Sequence, residues 1–122
     1  MEIHESAEDY LETILILQER IGQVRSIDIA TEMNYTKPSI SVAMKKLREQ
    51  GYIETDKDGY ITLTESGRGI ATHIYERHTF LTDFFIALGV NAQTAAKDAC
   101  RVEHDLSEET FDKIKEHALK NR

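Results

Sequence analysis

The stretch Thr36–Ile53, TKPSISVAMKKLREQGYI, predicts a helix with a defined start, a defined end and one buried face. Thr36 is a residue type that caps helices, and Pro38 falls in the first turn, where its missing N–H costs little. Gly51 is suited to end the helix. The apolar residues that share one face and are predicted to be buried are Ile40, Ala43, Met44 and Leu47.

The segments on either side complete the order of a winged helix-turn-helix. Before the stretch, a first helix is predicted between Ser6 and Gly22, and Ser26 is expected to cap a short second helix, IDIATEMN. After it, two short runs alternate apolar and polar residues on either side of Asp58 and Gly59, a dipeptide typical of a tight hairpin turn. Helix, short helix, turn, helix and two-stranded ribbon is the order of a DNA-binding winged helix.

The rest of the chain is predicted to be helical. Thr64 opens a long fourth helix, Asn91 caps a fifth, and Ser107 caps a sixth whose first turn is acidic. We therefore predict a mainly α fold with a winged helix-turn-helix domain in residues 1–64. Residues 65–122 are predicted to form a second, helical domain.

Charge is unevenly distributed along the chain. The 122 residues include 15 Lys and Arg against 22 Asp and Glu, and the net charge of -7 argues against indiscriminate binding to nucleic acid. Acidic residues crowd both ends of the sequence, whereas residues 35–48 contain basic side chains and no acid. This distribution predicts DNA contact at the basic helix and cation binding elsewhere.

The exposed face of the third helix suits entry into a major groove, because it presents short hydroxyls and lysines near the helix start. An ordinary solvated helix would explain the composition alone, but the order of elements around it favours DNA. Lys57 at the hairpin tip is predicted to reach a phosphate, although an aspartate flanks it on each side. The predicted DNA-contacting residues are Thr36, Lys37, Pro38, Ser39, Ser41, Lys45 and Lys57.

The segment DACRVEHDLS carries the single cysteine, Cys100, followed by Glu103 and His104. Positions i, i+3 and i+4 share one face of a helix, so we expect the three side chains to point the same way. A buried thiol beside solvated polar residues would explain the segment without a ligand. Sulfur, nitrogen and oxygen donors together are also what borderline-soft divalent metals bind.

Two further segments carry metal-ligand side chains. Asp9 and Glu12 stand one turn apart on the first helix, although Ser6 and Asp9 also fit a capping box. His78 lies in the apolar stripe of the fourth helix, where a histidine is more often a core residue than a ligand. Taken together with the segment around Cys100, these residues predict a metal site whose ligands come from three helices.

An ordered set of motifs resembles the diphtheria toxin repressor family, including its manganese-sensing branch. The motifs are EDYLETI, TKPSISVAMKKLREQGYI, LTESGRGIA, RH before the apolar end of the fourth helix, and ACRVEH. The resemblance implies a dimeric, metal-activated repressor with an N-terminal winged helix in residues 1–64 and a helical metal-binding and dimerisation domain in residues 65–122. Some members carry a C-terminal SH3-like domain, and the resemblance to the manganese branch implies a chain without it.

The resemblance also implies a mixed ligand set. Asp9 and Glu12 match N-terminal ligands of the manganese branch, and His78 matches a ligand shared by both branches. Glu103 and His104 match a shared pair, whereas Cys100 agrees with the iron pattern. The implied metal is Fe(II) or Mn(II), with Co(II) and Zn(II) able to bind in vitro. The metal ligands implied by the resemblance are Asp9, Glu12, His78, Cys100, Glu103 and His104.

The predicted function is a cytoplasmic, homodimeric transcriptional regulator of metal-ion homeostasis genes, a repressor by resemblance. It is expected to bind a palindromic operator in double-stranded DNA, to have no membrane partner and not to be an enzyme. The alternative is a winged-helix regulator that senses a small organic ligand, in which the thiol, carboxylate and imidazole groups are incidental. A small metalloenzyme is a third reading, but no motif indicates a substrate cleft.

Overall fold

The computed structural model describes residues 5–120, which form six α-helices and a two-stranded antiparallel sheet. This architecture confirms the predicted mainly α fold. The described strands pair only in this small sheet, so residues 5–120 contain no SH3-like domain. None of the helices in that range is both long and apolar enough to cross a membrane. The elements in chain order are α1 (Glu5–Ile21), α2 (Ser26–Met33), α3 (Lys37–Glu49), β1 (Ile53–Thr55), β2 (Ile61–Leu63), α4 (Glu65–Ala87), α5 (Ala92–Val102) and α6 (Glu108–Lys120).

The chain divides into two compact units between Thr72 and His73, partway along α4. In the first unit α1 packs on α2 and β2, α2 packs on α3, and α3 packs on β1. The second unit contains the remainder of α4 together with α5 and α6. The domain boundary predicted between residues 64 and 65 stays a prediction.

Three predicted helix caps are confirmed by hydrogen bonds from the first turn. The Thr36 hydroxyl accepts the Ser39 N–H at 3.3 Å at the start of α3. Asn91 Oδ1 accepts the Gln93 N–H at 2.9 Å at the start of α5. Ser107 Oγ accepts an N–H in the same way before α6. Each cap satisfies a backbone donor that has no partner within its own helix.

Two serines predicted to cap helices lie inside those helices instead. Ser6 lies inside α1, which includes Glu5, so Ser6 does not occupy the cap position. Ser26 is the first residue of α2, and Arg25 occupies the cap position. There the Arg25 N–H donates to Asp28 Oδ2 at 2.8 Å, which provides the carboxylate half of a capping box.

The hairpin turns where the sequence predicts, through a loop of residues 56–60. The Gly59 N–H donates to the Asp56 carbonyl at 3.1 Å, and Gly59 has φ +86°, a conformation that glycine adopts at little cost. The Asp56 carboxylate accepts the N–H groups of Asp58 and Tyr60, both at 2.9 Å. Asp56 therefore orders the hairpin loop, in addition to carrying a negative charge that would repel a DNA phosphate.

Val24 forms a bridge that the sequence did not predict. It pairs with Ile61, whose N–H donates to the Val24 carbonyl at 2.7 Å, and both side chains are buried. The bridge ties β2 to the connection between α1 and α2. A single paired residue has no alternation pattern, so no local signal marks it.

The start of α4 lies against the turn between α3 and β1. The Thr64 N–H donates to the Tyr52 carbonyl at 3.0 Å, and the Thr64 hydroxyl donates to the Gly51 carbonyl at 2.7 Å. A Cβ on Gly67 would overlap that same Tyr52 carbonyl oxygen. Glycine at position 67 thus permits a close backbone approach, whereas a Cβ on Gly69 would meet nothing within 4 Å beyond its own stretch of helix.

We predict that Gly67→Ala destabilises the protein and that Gly69→Ala does not. The first substitution forces the Tyr52 carbonyl to move, which should cost about 1–3 kcal/mol of unfolding free energy. The second replaces an exposed helical glycine and should add about 0.5–1 kcal/mol. Urea unfolding followed by circular dichroism measures both, and equal stability of the two variants would contradict the close approach.

Candidate metal centre and nucleic-acid interface

The third helix separates a buried stripe from an exposed polar face, as predicted. Ile40, Met44 and Leu47 are buried, whereas Ala43 is half-buried and only borders the stripe. Val42 is also exposed, at 57% of its surface, among polar neighbours. All seven predicted DNA-contacting residues are exposed, and they are Thr36, Lys37, Pro38, Ser39, Ser41, Lys45 and Lys57.

An aromatic pair supports the start of α3. The rings of Tyr10 on α1 and Tyr35 before α3 meet edge to face, with centroids 6.2 Å apart. Burial raises the pKa of Tyr10, and the neighbouring Tyr35 and Asp9 raise this pKa further. Tyr35 lies next to Thr36, so α1 contacts the segment that holds the cap of the recognition helix.

The hairpin presents one cation that the sequence analysis named and one that it missed. Lys57 is exposed in the loop. Arg25 is also exposed, and its guanidinium lies over the Tyr60 ring, 4.4 Å from the centroid. This cation–π contact orients Arg25 at the base of the hairpin. Only tertiary structure brings Arg25 to Tyr60, so the sequence offered no signal for it.

Glu103 is the buried centre of the candidate metal site. Its side chain has no exposed surface, and its Oε2 lies 3.0 Å from His78 Nδ1. Its Oε1 lies 3.4 Å from His104 Nε2, on a His104 side chain that is 2% exposed. The structure therefore brings together three of the predicted ligands, one from α4 and two from the segment after α5.

The expectation that these residues share one helix face is wrong for His104. The helix α5 ends at Val102, and Glu103 is the C-cap with helical φ -57° and ψ -30°. The Glu103 N–H still donates to the Ala99 carbonyl at 2.9 Å, but His104 belongs to the turn that follows. The Glu103 and His104 side chains therefore approach each other in the turn that follows α5.

The other predicted ligands lie on two helices. Cys100 is exposed on α5, one turn before Glu103. Asp9 is half-buried and Glu12 is 7% exposed, both on α1 in the first unit. Their roles as ligands stay predictions. A second histidine of α4, His73, is exposed, and its Nε2 lies 3.4 Å from Glu108 Oε1.

The donor set fits a divalent cation. Desolvating a carboxylate is costly unless hydrogen bonds or a cation compensate. Within the described residues, Glu103 Oε1 is a buried oxygen that accepts no hydrogen bond of standard geometry. Carboxylate and imidazole groups bind Mn(II) and Fe(II), and a thiolate would shift the preference toward the softer metals.

Arg77 is a buried residue near this site that the sequence analysis missed. It is 5% exposed and precedes His78 on α4. Its Nη1 donates to the carbonyls of Glu103, at 3.0 Å, and of Leu106, at 2.8 Å. The available signal was its place in the apolar stripe of α4, between Ile74 and Leu81, where a charged residue requires a buried partner.

Comparisons with known proteins match both halves of the chain. The family model for the iron dependent repressor N-terminal DNA binding domain matches residues 2–61, and that for its metal binding and dimerisation domain matches residues 64–120. The transcriptional regulator MntR of Escherichia coli O6:H1 is 34% identical over 108 residues, which cover 88% of this chain and 70% of MntR. An uncharacterized HTH-type transcriptional regulator of Methanocaldococcus jannaschii is 34% identical over 113 residues, covering 91% of this chain and 90% of that protein.

One solved structure has a similar fold. The structure of a manganese-dependent transcriptional repressor in complex with manganese is similar with a TM-score of 0.82 and 30% identity. The similarity covers 91% of this chain and 51% of the solved chain. The present chain thus spans about half the length of that repressor.

We predict that Cys100 binds the metal through its thiolate. Anaerobic titration of Co(II) into metal-free protein should produce a saturable near-ultraviolet thiolate-to-cobalt band, because a bound divalent ion deprotonates a coordinating thiol. The band should disappear in Cys100→Ser, while the visible bands persist. Visible bands without a thiolate band in the parent protein would remove Cys100 from the ligands.

Proposed function

Because the chain belongs to the iron-dependent repressor family, which includes the diphtheria toxin repressor and manganese regulators, we propose that it is a metal-dependent, DNA-binding transcriptional regulator. The observation that carries the proposal is the buried Glu103 with His78 and His104 around it, in a chain that also has a winged helix with a basic recognition helix. We assign it a repressor role in metal-ion homeostasis, in the cytoplasm, rather than an enzymatic activity.

The proposed metal is Fe(II) or Mn(II). His78, Glu103 and His104 are the ligands supported by their mutual distances. Asp9, Glu12 and Cys100 are added by their match to the family motifs. The bound metal supplies positive charge, which offsets the repulsion among carboxylates that share one site.

Regulation requires the metal to bind the DNA-competent state more tightly than the other state. Glu12 lies on α1, next to Thr13. Tyr10 of the same helix contacts Tyr35, which lies beside the recognition helix. A change in α1 on metal binding would therefore reach the start of α3 through packed aromatic rings. This route links ligand residues and DNA-contacting residues that lie within one unit.

The proposed DNA target is a palindromic operator read by a homodimer. A dimer places its two recognition helices in half-sites about 34 Å apart, or at a multiple of that spacing. Apolar surface for such a dimer lies at the end of α4, where Leu88 is 67% exposed, and on α6, where Leu119 is 53% exposed. The sequence predicts a dimer contact formed by the apolar end of α4 together with α5. Of the apolar side chains of α5, Ala95 and Ala99 are buried.

The phenylalanines of α4 contribute only in part to this surface. Phe80 and Phe85 pack against the core of the second unit, which contains Leu81, Ala99 and Phe111. Phe80 also stacks on Phe84, with ring centroids 6.1 Å apart. The surface offered for association is therefore the last turn of α4 rather than its whole aromatic stripe.

We predict that His104→Ala abolishes metal-dependent DNA binding and that His73→Ala preserves it. The first variant loses a buried imidazole beside Glu103, and the second loses an exposed imidazole on α4. Binding sites are first selected from random duplexes with the parent protein and Mn(II) or Fe(II), and affinities are then measured with metal and with chelator.

Full metal response in His104→Ala would contradict the proposed metal centre. Selection of the same operator with or without metal would overturn the metal-dependent function itself. In that case the regulator that senses a small organic ligand becomes the better explanation.

We predict that Lys45→Ala weakens binding to all duplexes alike and lowers the slope of log affinity against log salt by about 1, because one phosphate contact is lost. Lys115→Ala, an exposed lysine on α6, is the matched control and should leave the slope unchanged. Fluorescence anisotropy over a range of salt concentrations measures both. A loss confined to one base pair would assign Lys45 to a base instead.

Val42→Ala provides a contrast on the same helix. An exposed valine on a helix that enters the major groove suits contact with a thymine methyl group. Replacing thymine by uracil at one operator position should weaken DNA binding by the parent protein but not by Val42→Ala. The slope of log affinity against log salt should stay unchanged in both proteins.

A further inference from the structure

The contacts of Arg77 converge on one turn of the chain. Nη1 donates to the carbonyl oxygens of Glu103 and Leu106, at 3.0 and 2.8 Å. The guanidinium also lies over the Phe111 ring on α6, 4.9 Å from its centroid. The side chain is almost completely buried, so these contacts must offset the desolvation of a permanent cation.

The turn needs such a partner because α5 has already ended. The last carbonyls of a helix lack intrahelical donors and carry the negative end of the helix dipole. Glu103 is the C-cap of α5, and its carbonyl is one of these groups. A guanidinium presents several donors in a rigid plane, so a single Arg77 can serve the carbonyls of Glu103 and Leu106 together.

We propose that Arg77 is a positioning residue for the metal centre. It fixes the 103–106 turn so that the side chains of Glu103 and His104 converge with His78. Both hydrogen bonds end on main-chain carbonyls, and Arg77 therefore orients the ligands through their backbone. His78 follows Arg77 directly on α4, so one short piece of helix supplies both a ligand and the group that orients two others. The inference rests on the proposed function, because it assumes that these residues bind a metal.

The test compares Arg77→Met and Arg77→Lys with the parent protein. Arg101→Met is the matched control, because Arg101 lies on α5 with its side chain 79% exposed. Co(II) affinity is measured by competition with a chromophoric chelator. Arg77→Met should weaken Co(II) binding about 10–100-fold, as loss of groups that orient metal ligands does. Arg77→Lys keeps the charge but not the planar fork and should recover part of the affinity, and Arg101→Met should match the parent protein.

A second measurement is made on metal-free protein. Amide hydrogen exchange at residues 103–107 should accelerate in Arg77→Met and not in Arg101→Met, because the turn loses its fixed donor. The visible Co(II) spectrum of Arg77→Met should also change in intensity, since the ligands are no longer held in one arrangement. A role limited to global stability would lower the melting temperature without changing either the spectrum or the affinity.

The outcomes separate this inference from the proposed function. Parent-like Co(II) affinity and spectrum in folded Arg77→Met would overturn the positioning role and leave the metal centre intact. If Arg77→Met does not fold, the same measurements are made on Arg77→Lys. A Co(II) affinity and a visible spectrum equal to those of the parent protein would then overturn the positioning role. Failure of the parent protein to bind Co(II) or Mn(II) would overturn both.

Discussion

The burial of the Glu103 carboxylate is the constraint around which the second unit is organised. A carboxylate with no exposed surface loses the hydration that stabilises it in water, and neighbouring groups must replace that hydration. His78 and His104 supply two imidazoles, and Arg77 secures the backbone of the same residue. The core of the unit, Leu81, Ala99 and Phe111, lies on the three helices that carry or follow these groups. The apolar packing of this core and the polar contacts of Glu103 therefore both stabilise the turn that contains Glu103.

The first unit depends instead on the contrast between the two faces of α3. The buried face anchors the helix, and the capped start presents hydroxyls and lysines to solvent. In a chain with net charge -7, a helix surface with only basic charges near its start is a local exception. We expect that exception to direct nucleic-acid binding to this surface, while the net negative charge of the molecule repels phosphate elsewhere. The bridge at Val24 and the close approach at Gly67 hold the hairpin and α4 to this unit.

The proposed ligand set combines two patterns of the family. Cys100 brings a soft donor, whereas Asp9, Glu12 and Glu103 bring hard ones, and the two kinds favour different metals. The proposed centre is therefore defined by its mixed donors, with the buried carboxylate common to either metal.

Local signals in the sequence determined the order of elements and most of their limits. Caps at Thr36, Asn91 and Ser107, the glycine after α3 and the alternation of the two strands depend on residues within a few positions of one another, so the sequence alone is sufficient for them. The caps at Ser6 and Ser26 failed because both serines lie inside the helices that they were predicted to cap.

Only the tertiary structure decided how the candidate site is built. The sequence predicted that His78, Glu103 and His104 belong together, but it placed His104 on a helix that ends before it. It gave no role to Arg77, because the carbonyls that this residue binds lie 26 and 29 positions away. A residue's type and spacing reveal which chemistry is available. Which buried groups meet depends on long-range packing, and that packing is where a charge such as Arg77 finds the partners that make its burial possible.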